Sequence, residues 1–380
     1  MDASKIDKYL DLLESYGIPA CDFSISHRGK EVYRHQSGFA DHAKERPLTE
    51  KDIFRVYSIS KVTVCVCAMR LMEQGKLKLS DPVSKYLPAY ADIKVKNADG
   101  SIAPAKNTMT ILHLITMTGG LDYDTKKENI VKAAQKPDAS TFSIASAFAE
   151  APLNFEPGTH YCYSLCHDAL AAVIEVVSGM TYSEYVRKNI AEPLGMTDTG
   201  FRPSPEQKER FVEAYQHVKG LMKATPIDGE KHHKFFVPSA EYDSGGAGLF
   251  STVNDQMKLL TTLANGGTAP NGYKLLKPES IALFGENRLP DSARPDFLFD
   301  RLFGYSYGLC GRVHIDRKLS LSRSAQGEFG WDGAAGAFAL VDPKNQVAMF
   351  FGMQVLGCMI SYFKVFPELR NLGYELLGIE

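Results

Sequence analysis

Phe54-Arg55-Val56-Tyr57-Ser58-Ile59-Ser60-Lys61 runs directly into Val62-Thr63-Val64-Cys65-Val66-Cys67-Ala68-Met69-Arg70-Leu71-Met72-Glu73-Gln74-Gly75. The first four residues read as a short strand-like approach, and the stretch from Ser58 reads as a buried helix that Gly75 terminates. Ser58 and Lys61 stand three apart at the start of that helix, so a hydroxyl and an amine project from one face. The helix start also supplies free N–H groups and a partial positive charge suited to an oxyanion, which makes Ser58 a candidate activated nucleophile. S-x-x-K by itself is weak, since a chain of this length holds on the order of one or two by chance. A second one is Ser361-Tyr362-Phe363-Lys364. Context separates them: Lys61 begins an element that must be buried, whereas Lys364 follows a strand near the C-terminus and reaches water.

Working outward, Ile6, Tyr9, Leu10, Leu13 and Tyr16 recur at helical spacing until Gly17-Ile18-Pro19 stops them, which predicts an N-terminal amphipathic helix. Residues 20–26 and 31–38 alternate around His27-Arg28-Gly29-Lys30, the pattern of a β-hairpin. Up to about Asn265 the chain alternates helical patterns with Gly/Pro loops. Strand-like composition returns at 305–309, 338–341 and 346–353, with Asp342-Pro343-Lys344-Asn345 as the turn between the last two, and 361–377 reads as a closing helix. Strands at both ends with helices between them predict an α+β architecture: one sheet built from both termini and a helical insertion. The expected boundaries are a sheet subdomain at 1–55 and 300–380 and a mainly helical subdomain at 56–299, with the functional site where the two meet.

The chain has 380 residues, 44% of them apolar, and 43 Lys+Arg against 45 Asp+Glu leave a net charge of −2. At roughly 150 residues per domain this is one large or two interleaved domains with a real core, which excludes a disordered or collagenous chain. No global field recruits nucleic acid or an anionic membrane, so a small molecule or a protein is the expected partner. The longest apolar stretch, 62–72, is interrupted by Thr63 and Arg70 and falls short of the ~20 residues of a bilayer span. Met1-Asp2-Ala3-Ser4-Lys5 opens a charged segment without the apolar core of a signal peptide, and the expected location is cytoplasmic.

Seven scattered cysteines read as reduced thiols. Neither Cys65-Val66-Cys67 nor Cys162 with Cys166 has the spacing of a zinc site, and both read as small buried hydrophobes. His232-His233, within 230–236, reads as a loop. No metal or cofactor is expected, and Walker A, dinucleotide and G-x-S-x-G motifs are missing. Asp243-Ser244-Gly245-Gly246 looks like the nucleophile segment of a chymotrypsin-like protease, but no histidine stands in a matching context for the base.

Further stretches join the Ser58 segment. In order they are Glu73-Gln74-Gly75-Lys76-Leu77-Lys78-Leu79-Ser80-Asp81-Pro82, Thr110-Ile111-Leu112-His113-Leu114-Ile115 leading to Gly119-Gly120-Leu121, and Glu156-Pro157-Gly158-Thr159. Tyr163-Ser164, Glu192-Pro193-Leu194-Gly195-Met196-Thr197-Asp198-Thr199 and Gly245-Gly246-Ala247-Gly248-Leu249-Phe250-Ser251-Thr252 follow. Over most of its length the chain thereby resembles the superfamily of serine β-lactamases, penicillin-binding proteins and related esterases, in particular its class C-like branch. The resemblance implies a β-lactamase/DD-peptidase-like fold, a helical region beside an antiparallel sheet, as one catalytic unit over 1–380.

It also implies roles. The family's Tyr-x-Asn motif falls on Tyr163-Ser164-Leu165, making Tyr163 the group that relays the serine proton, with Tyr161 as the alternative if the motif is offset. Asn at the place of Leu165 bonds the lysine and the substrate amide; leucine does neither, which makes the site more apolar. The Lys-Thr-Gly-like triplet on a sheet edge falls on Trp331-Asp332-Gly333, and the amides of Ser58 and Ala334 would form the oxyanion hole. Trp331 offers an apolar wall and an indole N–H where penicillin-recognising members carry a cation. Ser58, Lys61, Tyr163 and the Ala334 amide are thus the catalytic candidates, and Leu165, Trp331, Asp332 and Gly333 the substrate-binding ones. The leading expectation is a serine hydrolase forming an acyl-enzyme on small apolar esters or cyclic amides. The alternatives are a β-lactamase or D-Ala/D-amino-acid peptidase, with Arg323 holding a substrate carboxylate, and a binding or scaffold protein on the same fold without turnover.

Overall fold

The computed structural model describes residues 2–234, 236–297 and 302–379. The expected subdomain boundary at 299/300 lies outside them. Seven antiparallel strands form the main sheet, in the spatial order Lys30–Gly38, Ala20–His27, Val347–Gly352, Phe338–Asp342, Phe329–Asp332, Gly311–His314, Tyr305–Gly308. Both chain ends therefore build one sheet, as the end-strand pattern predicts.

The 2.0-residue period of a strand explains why the central strands read as continuous apolar runs: both faces are covered. Phe338, Leu340, Val347, Met349 and Phe351 enter one core with Ile6 and Leu10 of the N-terminal helix Ser4–Asp11 and Leu369 of the closing helix Phe366–Leu376. Ala339, Val341, Ala348 and Phe350 enter the other with Leu259, Leu260 and Leu263 of the Val253–Ala264 helix. The Asp342 carboxylate accepts from the amide of Asn345 at 3.0 Å and from the Tyr374 hydroxyl at 2.6 Å, pinning the predicted turn to the closing helix.

Three expectations need correction. The strand carrying Trp331 and Asp332 is not an edge strand, because the hairpin Tyr305–Gly308/Gly311–His314 adds two strands outside it. Its ladder with that hairpin ends at Gly330 opposite Arg312, however, so the Trp331-to-Gly333 end runs beyond the pairing. His232-His233 closes a helical turn, Gly229–His233, capped by the Asp228 carboxylate on the amides of Glu230 and Lys231, where a loop was expected. Arg323 lies within 3.6 Å of Glu375 on the closing helix, in a surface hollow with Arg317, Lys318 and Lys344, rather than beside Ser58.

The Gly311–His314 strand escapes a hydrophobic-pattern reading because its central residue is a charge. Arg312 is buried and donates to Asp332 at 2.9 Å, to Glu328 at 3.4 Å and to the Ala339 carbonyl at 2.9 Å. Taking one partner out of such a cluster strands the others in low dielectric. Arg312→Leu is expected to destabilise the protein by about 3–5 kcal/mol, read as a lower urea midpoint at unchanged slope. A shift below about 1 kcal/mol would mean that water reaches the two carboxylates.

Candidate active site

Ser58 sits in a 3-10 turn, Tyr57–Ile59, between the two-residue strand Phe54–Arg55 and the helix Ser60–Glu73. Phe54–Arg55 pairs with Phe250–Ser251, and the Val56 amide donates to the Leu249 carbonyl at 3.2 Å. Ser60 ties the same two segments, its Oγ donating to the Tyr57 carbonyl at 2.6 Å and accepting the Leu249 amide at 3.1 Å. Tyr57 has φ +45°, a left-handed conformation for a buried aromatic residue that costs about 1–3 kcal/mol. The turn thus presents Ser58 at some cost in strain, held by bonds on both sides.

The helix that follows is buried almost all round, so Lys61, on its first turn, is fully buried. Its Nζ donates to the Gly246 carbonyl at 2.8 Å, Ser58 Oγ at 3.3 Å and the Tyr123 hydroxyl at 3.4 Å. Among the described residues no carboxylate comes within salt-bridge distance of it. Tyr163, just ahead of the helix Cys166–Ser178, places its hydroxyl 2.8 Å from Ser58 Oγ. Lys61 Nζ stands 4.6 Å over the Tyr163 ring, a cation–π placement. The predicted serine, lysine and tyrosine are therefore together.

Trp331 stacks on Tyr163 with centroids 5.5 Å apart, and its indole N–H donates to the Tyr163 hydroxyl at 3.2 Å. That N–H meets the tyrosine, a use different from the substrate contact expected of it. Gly333 lets the strand end press on the nucleophile turn: a Cβ there would lie 2.5 Å from the Val56 carbonyl. The Ser58 and Ala334 amides have no acceptor among the described residues. Backbone amides without an acceptor are the kind of donor that can bind a developing oxyanion. Asp332 pairs with buried Arg312, and Leu165 is buried ahead of its helix, its amide donating to the Asp122 carbonyl at 3.0 Å and its neighbours including Leu121, Ile130 and Phe148. Tyr161 packs against Tyr307 and Phe297. Ser361 is buried in a π-helical turn against Met353, and Lys364 is exposed and donates to the Tyr16 hydroxyl.

Sequence reading missed the groups behind Lys61. Asp168 is buried on the Cys166–Ser178 helix and accepts from Tyr242 at 2.9 Å and Ser244 at 2.5 Å. Burial, with Asp168 beside it, pushes the Tyr242 phenol well above the ordinary range, so it remains a donor. Ser244 in turn accepts the Ala247 amide at 2.9 Å, which holds the 244–247 turn that aims the Gly246 carbonyl at Lys61. A Cβ on Gly246 would meet Asp168 Oδ2 at 2.6 Å and Lys61 Nζ at 3.2 Å. The protease-like Asp243-Ser244-Gly245-Gly246 is thus the cradle of Lys61. A charged residue just ahead of the apolar run 169–174 is the signal that marks Asp168.

Aromatic side chains cluster around the Ser58 turn. Tyr123 stacks on Tyr163 at 5.4 Å, and Phe236 stands edge-on to both Tyr123 and Tyr57, at 6.2 and 5.5 Å. The His232 ring lies 3.3 Å from the Tyr57 hydroxyl through Nδ1, and Glu230 pairs with Arg55. Glu230, His232 and Phe236 thereby pack against the segment that carries Ser58.

A sheet built from both chain ends, with a serine turn, a buried lysine and a tyrosine brought together beside it, fits a β-lactamase-fold serine hydrolase. The chain belongs to the beta-lactamase family, whose model matches residues 4–356. It is similar to esterase EstB of Burkholderia gladioli, 29% identical over 340 residues that cover 84% of this chain and 81% of that protein. It is also similar to a putative D-alanyl-D-alanine carboxypeptidase of Escherichia coli K12, 26% identical over 369 residues that cover 91% of this chain and 80% of the other. Among solved structures, EstCE1, described as a hydrolase with promiscuous acyltransferase activity, superposes with a TM-score of 0.80 at 25% identity, covering 98% of this chain and 97% of that one. No helix among the described residues is long and apolar enough to cross a membrane.

Proposed function

We propose that the protein is a carboxylesterase acting on small apolar esters through an acyl-enzyme on Ser58. The observation that carries this reading is the sharing of Ser58 Oγ by the Tyr163 hydroxyl at 2.8 Å and Lys61 Nζ at 3.3 Å. Ser58 Oγ attacks the ester carbonyl while its proton passes to the Tyr163/Lys61 pair, and the Ser58 and Ala334 amides hold the oxyanion. Collapse expels the alcohol, which takes that proton. Water then attacks the acyl-enzyme by the same route, giving its proton to the pair and returning one to Ser58.

Esters are favoured over β-lactams or D-Ala peptides by what surrounds the serine. Trp331 stands where the resemblance expects a carboxylate-binding cation, and Tyr123, Tyr57 and Phe236 pack around the same centre. A substrate carboxylate would lose its water and gain no partner there. The test is turnover of a short-chain p-nitrophenyl ester beside nitrocefin. Expected is a kcat/KM at least about 100-fold higher for the ester, the worth of about two charge-assisted hydrogen bonds. Comparable nitrocefin turnover would support the β-lactamase reading, and failure of a covalent serine probe to label the protein would support a scaffold. The same aromatic side chains favour a second reading, transfer of the acyl group to an alcohol, and an added alcohol tests it by diverting product from acid to ester.

A further inference from the structure

Lys61 has more to hold it than the sequence motifs supply. Leu165 has no polar atom to offer the lysine, yet Lys61 Nζ has three oxygen acceptors, and the third is the hydroxyl of Tyr123 at 3.4 Å. Tyr123 comes from an unrelated stretch of chain, the loop after Gly119-Gly120-Leu121-Asp122. That loop is bound to the Tyr163 segment, since the Leu165 amide donates to the Asp122 carbonyl at 3.0 Å and the Cys162 amide to the Met117 carbonyl at 3.0 Å. On its other side the Asp122 carboxylate is held by Lys127 Nζ at 2.6 Å and the Asp124 amide at 3.1 Å. The ring is therefore placed by backbone and side-chain bonds on both flanks.

Its geometry serves two partners at once. The Tyr123 ring lies nearly parallel to that of Tyr163, at 5.4 Å and 9°, and Trp331 stacks on the same Tyr163 ring at 5.5 Å and 20°. Lys61 Nζ is 4.6 Å from the Tyr163 centroid and 5.3 Å from that of Tyr123, so one ammonium faces both rings. Burial first, then the neighbouring Tyr163 and Asp168, push the Tyr123 phenol well above the ordinary range. A phenol that stays protonated accepts from Lys61 and keeps its hydrogen for donation; it takes no proton from the serine.

We infer that Tyr123 is a positioning residue for acylation: its hydroxyl fixes Lys61 Nζ between Ser58 Oγ and the Gly246 carbonyl, and its ring holds Tyr163 where the phenol reaches the serine. The inference rests on the reading of Ser58 as the acylated residue. Tyr123 then supplies by hydroxyl and stacking what an asparagine at Leu165 would have supplied to the lysine by an amide. It acts through Lys61 and Tyr163, so its effect belongs on the chemical step and not on substrate affinity.

Tyr123→Phe keeps the ring and removes the oxygen. Expected is a fall in kcat of about tenfold or more, with KM within about twofold of wild type. The rate at which a fluorophosphonate probe labels Ser58 should fall by a similar factor, with the thermal midpoint unchanged. Tyr123→Ala, which also removes the stack, should lose more in both rates. Equal labelling rates and equal kcat in wild type and Tyr123→Phe would overturn the inference while leaving Ser58 as nucleophile. A raised KM at unchanged kcat would overturn it too, by making Tyr123 a substrate contact. Failure of the wild type itself to label at Ser58 brings down the acyl-enzyme reading and this inference with it.

Discussion

Ser58→Ala is expected to lower ester turnover by about 10⁴-fold or more, with the thermal midpoint within a few degrees of wild type. The size follows from the arrangement, because the two side chains proposed to move the proton both act on the Ser58 oxygen. Tyr163 and Lys61 bond to it, at 2.8 and 3.3 Å. Without that atom there is no covalent route, and what remains is oxyanion binding acting on a free water, which in other serine hydrolases leaves roughly 10³–10⁴ over the uncatalysed rate. Stability should hold because the strained turn is kept by backbone bonds and by Ser60, none of which uses Ser58 Oγ. Initial rates on a p-nitrophenyl ester and a melting curve on the same preparation check both halves. A variant that keeps its activity would move the chemistry to another residue.

Tyr163→Phe is the second large effect, an expected loss of about 10²–10⁴ in kcat with little change in KM. The ring stays, so the stacks on Tyr123 and Trp331 persist. What disappears is the oxygen 2.8 Å from Ser58 Oγ, which also takes the Trp331 N–H at 3.2 Å. The indole N–H is then left without that acceptor, a penalty of about 1–3 kcal/mol in a buried setting. A loss no greater than a few-fold would place proton transfer on Lys61 alone.

Much of this was legible in the sequence, and the reason is physical. Period and punctuation are local: the apolar run after Lys61, the alternation at 20–38 and the Asp342-Pro343-Lys344-Asn345 turn each carry their own signal and match observed elements. The site's first groups were legible for a second reason, that Ser58 and Lys61 are three residues apart and so share a face. Tyr163 and Gly333 were reached only through resemblance. What remained hidden depends on which distant loops meet. Tyr123 is 62 residues from Lys61 and is one of 18 tyrosines, so nothing local marks it. Ser244 and Gly246 looked like a protease segment because the same small, close-approach residues serve either purpose. Arg312 hid a whole strand, since a buried charge satisfied by Glu328 and Asp332 breaks the apolar pattern on which strand reading depends.

The acyl-enzyme on Ser58 is tested most directly by intact-mass measurement after rapid acid quench of the protein with an excess of p-nitrophenyl ester, followed by peptide mapping. Expected is one added acyl group, carried by the peptide that contains Ser58 and missing in Ser58→Ala. Turnover without any adduct when deacylation is slow enough to trap it, or an acyl group on a different residue, would contradict it.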